Sequence, residues 1–246
     1  LSNSGPSDLR SLRIATLGAL NARPLVHGLP GQLIPCQPAQ AVEAFARQEV
    51  DLALLPVAAV FSRGWQNHII HSLGIAARGP VYSVFVTWTG EEKNIRRLHL
   101  DPASRSSVAL LRVLQKQHGI LGANRWLETS TPEKDGARLL IGDQAIDFRR
   151  QHESTHHFAD LAELWQEKTG LPFVFAVWVT QPSLTAHHTE ICQALTALCQ
   201  KNLGQLESFF PPQDDPSFWK EYFGRLHYFL DARDLAGMRL FQQWME

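Results

Sequence analysis

Apolar residues along this chain fall into short blocks whose spacing alternates between that of strands and that of helices. Residues 12–17 form an apolar run that predicts a first strand, and residues 21–24 a loop. Pro24, at a first helical position, opens a short helix that Gly28 ends. Residues 33–36 predict a second strand. Residues 39–48 carry Val42, Phe45 and Ala46 at helical spacing, and residues 51–55 read as a third, buried strand before Pro56 opens another helix. This rhythm argues for an α/β fold with a doubly wound, mainly parallel sheet.

Gly79-Pro80 then punctuates the chain. Residues 82–87 predict a long strand, residues 97–100 another, residues 104–118 a strong helix, and residues 139–141 a strand stopped at Gly142-Asp143. In residues 160–168, Leu161, Leu164 and Trp165 share a helical face; Gly170 ends that helix and Pro172 blocks its continuation. Residues 173–179 are apolar without alternation, as in a strand buried on both faces. The remainder reads as helices over residues 184–207, 218–230 and 235–244. Two apolar strands, near residues 83 and 174, bracket a middle block with its own strand–helix–strand pattern. The expectation is two lobes joined by two crossovers, one from residues 10–82 and 180–246, the other from residues 83–179. A small-ligand cleft is expected between them.

The 246 residues, 44% hydrophobic and 19% charged, suffice for a sizeable core. A formal net charge of -1 and the lack of a long basic run argue against a nucleic-acid partner. The expected partner is a small molecule or a second copy of the chain in a homodimer. Cys192 and Cys199 stand on one predicted helix, about 10 Å apart along its axis, beyond the reach of a disulfide. With three cysteines in all, a reducing, cytoplasmic setting is expected. No apolar run has transmembrane length, and residues 1–11 are polar without a signal-peptide core, so neither a membrane anchor nor export is expected.

Four segments carry candidate chemistry. Asn21 and Arg23 follow the carboxyl end of the first strand, where open α/β sheets bind ligands. They read either as a turn Asn and a surface Arg, or as a hydrogen-bonding pair able to grip a carboxylate. Ser83 opens a buried strand just after the Gly79-Pro80 turn; it is a satisfied core hydroxyl or a ligand contact, with Arg78 as an anion partner or a surface residue. Ser104, Arg105, Ser106 and Ser107 open the helix that follows Asp101-Pro102-Ala103. Ser104 is a plausible N-cap, and the first turn offers free N–H groups, hydroxyls and a positive dipole end for an anion. Gly142 permits close backbone approach, and Asp143 caps the next helix, contacts substrate, or both.

The wording of these segments resembles the chorismate dehydratase family of the futalosine route to menaquinone. The stretch Thr169-Gly170-Leu171-Pro172-Phe173-Val174-Phe175-Ala176-Val177-Trp178 is similar to a signature of that family. So are Leu20-Asn21-Ala22-Arg23-Pro24-Leu25, Gly79-Pro80-Val81-Tyr82-Ser83-Val84, the Ser104–Ser107 pattern and Leu140-Ile141-Gly142-Asp143. The matches run in family order from residue 14 to residue 178. The helical tail, with Tyr222-Phe223 and Leu226-His227-Tyr228, fits loosely. Ala19, Ala22 and Val57 stand where the family usually has Tyr, Thr and Ser, and Ser106 replaces its Thr.

The resemblance implies a two-lobe fold like that of type II periplasmic binding proteins and dehydration of chorismate to 3-(1-carboxyvinyloxy)benzoate, with no metal or organic cofactor. It assigns catalytic roles to Asn21, Ser83 and Asp143, and substrate contacts to Arg23, Ser104, Arg105, Ser106, Ser107 and Gly142. The proton acceptor is either Asp143 or the enolpyruvyl carboxylate of the substrate itself. A non-catalytic two-lobe binding protein for a small aromatic or cyclic carboxylate is the competing expectation. His152-Glu153-Ser154-Thr155-His156 matches the zinc-protease pattern literally, but the segment is polar throughout and reads as a loop before the helix at residue 160.

Overall fold

The computed structural model describes residues 9–100, 105–121, 127–129 and 136–246. It opens with the expected alternation: β1 (Arg13–Leu17), α1 (Arg23–Val26), β2 (Gln32–Cys36), α2 (Pro38–Ala46), β3 (Leu52–Pro56) and α3 (Val57–Ser62). Pro38 sits in the first turn of α2, where Gln37 and Gln40 cap each other reciprocally. Every residue of β3 is buried, which is why it reads as an unbroken apolar run. β4 (Ile69–Ala77) completes the first half. His71, Ser72 and Gly74 interrupt its apolar pattern, so periodicity does not reveal it. Gly74 is required because the Ala176 carbonyl oxygen lies 2.5 Å from where a Cβ would stand.

A second group follows: β5 (Val84–Trp88), β6 (Arg97–His99), α4 (Arg105–His118), β7 (Leu127–Thr129), β8 (Ala137–Ile141), α5 (Gly142–His152), β9 (His157–Asp160) and α6 (Leu161–Thr169). The chain ends with β10 (Phe173–Thr180), α7 (His188–Leu203), α8 (Pro216–Gly224), β11 (Leu226–Phe229) and α9 (Ala232–Met245).

The strands form a six-stranded sheet, β11-β4-β10-β3-β1-β2, and a five-stranded sheet, β7-β6-β8-β5-β9. In the first, β1 is parallel to β2 and β3, whereas β10 is antiparallel to β3 and β4, and β11 is antiparallel to β4. In the second, β6 is parallel to β7 and β8, whereas β5 is antiparallel to β8 and β9. Both sheets are therefore mixed rather than mainly parallel. The reason is the route of the chain: β10 enters the first sheet from the second lobe, at the end where β1 and β3 finish.

Three further expectations are corrected. Residues 173–179 pair inside the first sheet, so they belong to the first lobe and not the second; pairing decides this, and the apolar run is blind to it. Residues 218–230 are not one helix. α8 stops at Gly224, and β11 turns Leu226 and Tyr228 inward at the sheet edge. The loop expected before α6 contains β9, which pairs with β5 along Trp88 to Phe85.

Two connections join the lobes, at residues 78–83 and 170–172. Asp160, 3% exposed, organises the first. Its carboxylate accepts from the backbone N–H groups of Val81 (2.9 Å) and Tyr82 (2.7 Å), and caps α6 by accepting from Ala162 (3.0 Å) and Glu163 (3.2 Å). These bonds hold Tyr82 at φ 70°, a region non-glycine residues rarely occupy. At the second connection, the indole N–H of Trp165 donates to the Pro172 carbonyl at 3.0 Å. Gly237 of α9 abuts the same carbonyl so closely that a Cβ would collide with it.

Candidate active site

The carboxyl ends of β1 and β3 and the start of β10 face the N-terminal turns of α4 and α5 across a cavity of about 130 Å³. Its apolar wall includes Leu17, Pro56 and Phe175, and its polar side chains are Asn21, Ser83, Arg105, Ser106 and Ser107. An apolar wall with a few convergent polar groups is the composition of a small-ligand site.

Asn21 lies in a short 3-10 turn, Leu20–Ala22, that runs directly into α1. The Tyr228 hydroxyl donates to its backbone carbonyl at 2.9 Å. Ser83, 1% exposed, stands where the first connection enters the second lobe. It accepts from the Tyr222 hydroxyl at 3.2 Å, and its carbonyl accepts from the Gly142 N–H at 2.8 Å. Gly142 adopts φ 66°, which lets β8 pass straight into α5 with no intervening loop.

From the α4 side, Ser106 and Ser107 are buried, and the Ser106 hydroxyl accepts from the Ala58 N–H of α3 at 3.1 Å, across the cleft. Arg105 lines the cavity and pairs with Glu43 of α2 at 3.6 Å. Ser104 lies outside the described residues.

Two of the expected residues sit beside the cavity instead of in its wall. Arg23 opens α1 with its side chain exposed. Asp143, in the first turn of α5, turns both carboxylate oxygens to the Leu20 N–H, each at 3.3 Å, and so bridges the lobes at the cleft mouth. Solvent reaches Asp143, yet the protein flanking it raises its pKa; the Leu20 N–H and the Arg23 charge oppose that rise, and Asp147 adds to it. Arg78 is engaged elsewhere, with Asp231 at 2.6 Å and Asp234 at 3.6 Å.

Tyr222 and Tyr228, named in the sequence only as part of a loosely fitting tail and given no site role, are the contacts that sequence reading misses. Burial pushes the Tyr222 phenol up to about 12 and raises Tyr228 well above its ordinary value. Nothing in the local pattern separates these tyrosines from other core aromatics. The interruption of helical spacing after Gly224 was the one available sign that the segment changes direction.

The zinc-like segment is a helix end followed by a turn. His152 is the last residue of α5, and its Nδ1 meets the Phe148 carbonyl at 2.9 Å, while His156 Nδ1 meets the Thr155 hydroxyl at 3.0 Å. Among the described residues no group of three or more His, Cys, Asp or Glu side chains is arranged to hold a metal ion. Among the same residues no helix is long and apolar enough to cross a membrane.

The chain is 28% identical over 250 residues to the chorismate dehydratase of Thermus thermophilus, spanning 91% of each protein. Its fold matches the crystal structure of protein AF1704 from Archaeoglobus fulgidus with a TM-score of 0.68, at 14% identity over 95% of this chain and 96% of that one. It also matches the Candida albicans CA3427 gene product, described as having the generic periplasmic binding protein fold, with a TM-score of 0.61 at 13% identity over 96% and 90% of the two chains. These two likenesses concern architecture: a periplasmic-binding-protein-like fold with the cleft between its sheets. A menaquinone biosynthesis family model matches residues 12–246, from the start of β1 through the tyrosine-bearing C-terminal segment, and the chain belongs to that family.

Proposed function

We propose that this protein is a chorismate dehydratase, a carbon–oxygen lyase that converts chorismate to 3-(1-carboxyvinyloxy)benzoate and water. The observation that carries the reading is the convergence of Asn21, Ser83, Arg105, Ser106 and Ser107 on one cavity between the lobes. These residues come from three separate segments that resemble the family. The T. thermophilus relative of that name supports it. Three free cysteines, Cys36, Cys192 and Cys199, fit a reducing cytoplasm.

Chorismate carries two carboxylates. The Arg105 guanidinium and the Ser106 and Ser107 hydroxyls at the start of α4 suit one of them, aided by the positive end of the helix dipole. The ring loses a proton from the carbon bearing the enolpyruvyl ether and hydroxide from the neighbouring carbon. The new double bond makes the ring aromatic, and the proton and hydroxide leave together as water. Asn21 and Ser83 orient the reacting groups by hydrogen bonding, and the apolar wall keeps bulk water away.

The enolpyruvyl carboxylate of chorismate is the base in this reading. Asn21 and Ser83 are not bases at neutral pH, and the Asp143 carboxylate is turned to the Leu20 N–H at the cleft mouth. Asp143 then acts by holding the Leu20–Ala22 turn, and Asn21 with it, against the second lobe.

The test is incubation of the purified, metal-free chain with chorismate, following product by mass and absorbance with and without chelator. Product formation that survives chelation is expected. Tight chorismate binding without product would replace the reading with that of a carboxylate-binding protein on the same fold.

A further inference from the structure

Tyr222 touches the site from the C-terminal tail, which resembles the family only loosely. It belongs to α8, is 2% exposed, and packs edge-on against Trp219 and Phe223, with ring centroids 5.7 and 5.4 Å away. A phenylalanine would fill this space equally well. The hydroxyl therefore serves its hydrogen bond, which goes to Ser83 Oγ at 3.2 Å, across 139 residues of sequence.

The direction of that bond matters. A serine hydroxyl has one proton and two lone pairs. When the Tyr222 O–H fills one lone pair, the Ser83 proton cannot be given to Tyr222 and is left for another acceptor. The Ser83 backbone is held as well, through its carbonyl and the Gly142 N–H. Ser83 and Asn21 both line the cavity, and Tyr228 holds the Asn21 carbonyl from the same C-terminal segment. The C-terminal segment thus holds both cavity-lining residues, Asn21 through Tyr228 and Ser83 through Tyr222, and leaves the Ser83 proton for an acceptor in the cavity.

We propose that Tyr222 is a positioning residue for the reaction: by donating to Ser83 Oγ it aims the Ser83 proton into the cavity, where Ser83 donates to an oxygen of the bound substrate. The inference rests on the dehydratase reading for the identity of that substrate. Tyr222 acts through Ser83 and does not itself exchange a proton with the ligand.

The experiment is a double-mutant cycle on the full chain: wild type, Y222F, S83A and Y222F/S83A. Each is assayed for turnover of chorismate and for chorismate affinity by calorimetry. Y222F is expected to lower kcat about tenfold, the scale of one misdirected hydrogen bond, with KM held within about twofold. S83A is expected to lower kcat at least as far, and Y222F to add nothing once Ser83 is gone. A Y222F effect of equal size in both backgrounds, or none with Ser83 present, overturns the proposal, because a purely structural tyrosine acts whether or not Ser83 is there. If Y222F does not fold, 3-fluorotyrosine at position 222 replaces it; it keeps the shape and alters donor strength, and its effect on kcat is expected to vanish in S83A. Wild-type protein that binds chorismate without product sinks the dehydratase reading alone, and the same cycle is then read in the dissociation constants. Wild-type protein that neither turns over nor binds chorismate overturns both.

Discussion

The back and the mouth of the cleft are built to different standards. At the back, Asp160 collects four backbone N–H groups at 2.7–3.2 Å while almost fully buried, and Trp165, Pro172 and Gly237 close the second connection without spare room. At the mouth the lobes meet through isolated contacts, the first of them buried and the other two longer and more exposed. These are Ala58 to Ser106 at 3.1 Å, Leu20 to Asp143 at 3.3 Å, and Arg105 to Glu43 at 3.6 Å, the last with side chains 38% and 40% exposed. Buried, fully paired groups define one geometry and are expensive to disturb; exposed pairs contribute little and exchange readily with water or ligand. A rigid back and an exchangeable mouth suit a site that must orient a dianion closely and still release its product.

Substitutions test that contrast in descending order of effect. Asp160→Ala leaves N–H groups at the first connection without an acceptor, and a loss of about 3–5 kcal/mol is expected in thermal or denaturant unfolding. A loss below about 1 kcal/mol would mean the back of the cleft is not the firm element. Next comes Tyr222, whose phenol is raised to about 12 in the fold. A raised value means that the fold favours the neutral phenol. Its contribution is fully present below about pH 10, the unfolded value, and is lost as pH climbs through about 12, by about 3 kcal/mol. Y222F should unfold with a flatter pH profile over that interval; identical profiles for the two proteins would contradict the burial of this phenol.

Gly237→Ala should destabilise by about 1–3 kcal/mol, because α9 must back away from the Pro172 carbonyl; an unchanged melting temperature would show that α9 yields without strain. At the mouth the expected effects are smallest. Asp143→Asn keeps a hydrogen-bond acceptor for Leu20 and should alter stability by less than about 1 kcal/mol. It should also reduce turnover by less than about tenfold, since loss of a true general base removes about a hundredfold or more. Abolished turnover with intact chorismate binding would make Asp143 the base and remove the substrate-base reading.

How far the sequence could be read follows the same division. Ser83, Arg105, Ser106 and Gly142 were visible because turn formers and helix starts mark them locally, and their resemblance to a family singled them out. Asn21 was visible for the same reason. Arg23 and Asp143 carried equal local signals, yet they stand at the mouth beside the cavity, since a motif does not say which way a side chain faces. Asp160 read only as the first residue of a helix. Its hold on Val81 and Tyr82 joins residues 79 and 78 positions apart, and no local pattern encodes such a pairing.

By itself the sequence determined the elements whose periodicity is undisturbed: β1, β3, β5, β10, α2, α4 and α6. It also determined the two-lobe plan and the polar residues that mark the cleft. Hydrophobic spacing, prolines and glycines act within a few residues, so these features are written locally. Only the tertiary structure decided that β10 lies between β3 and β4 in the first sheet, that the chain turns back as β11 after Gly224, and that Tyr222 reaches Ser83. Each depends on groups brought together from distant parts of the chain, where the competition is among alternative pairings of equally apolar strands and equally buried aromatics, and packing of the whole molecule resolves it.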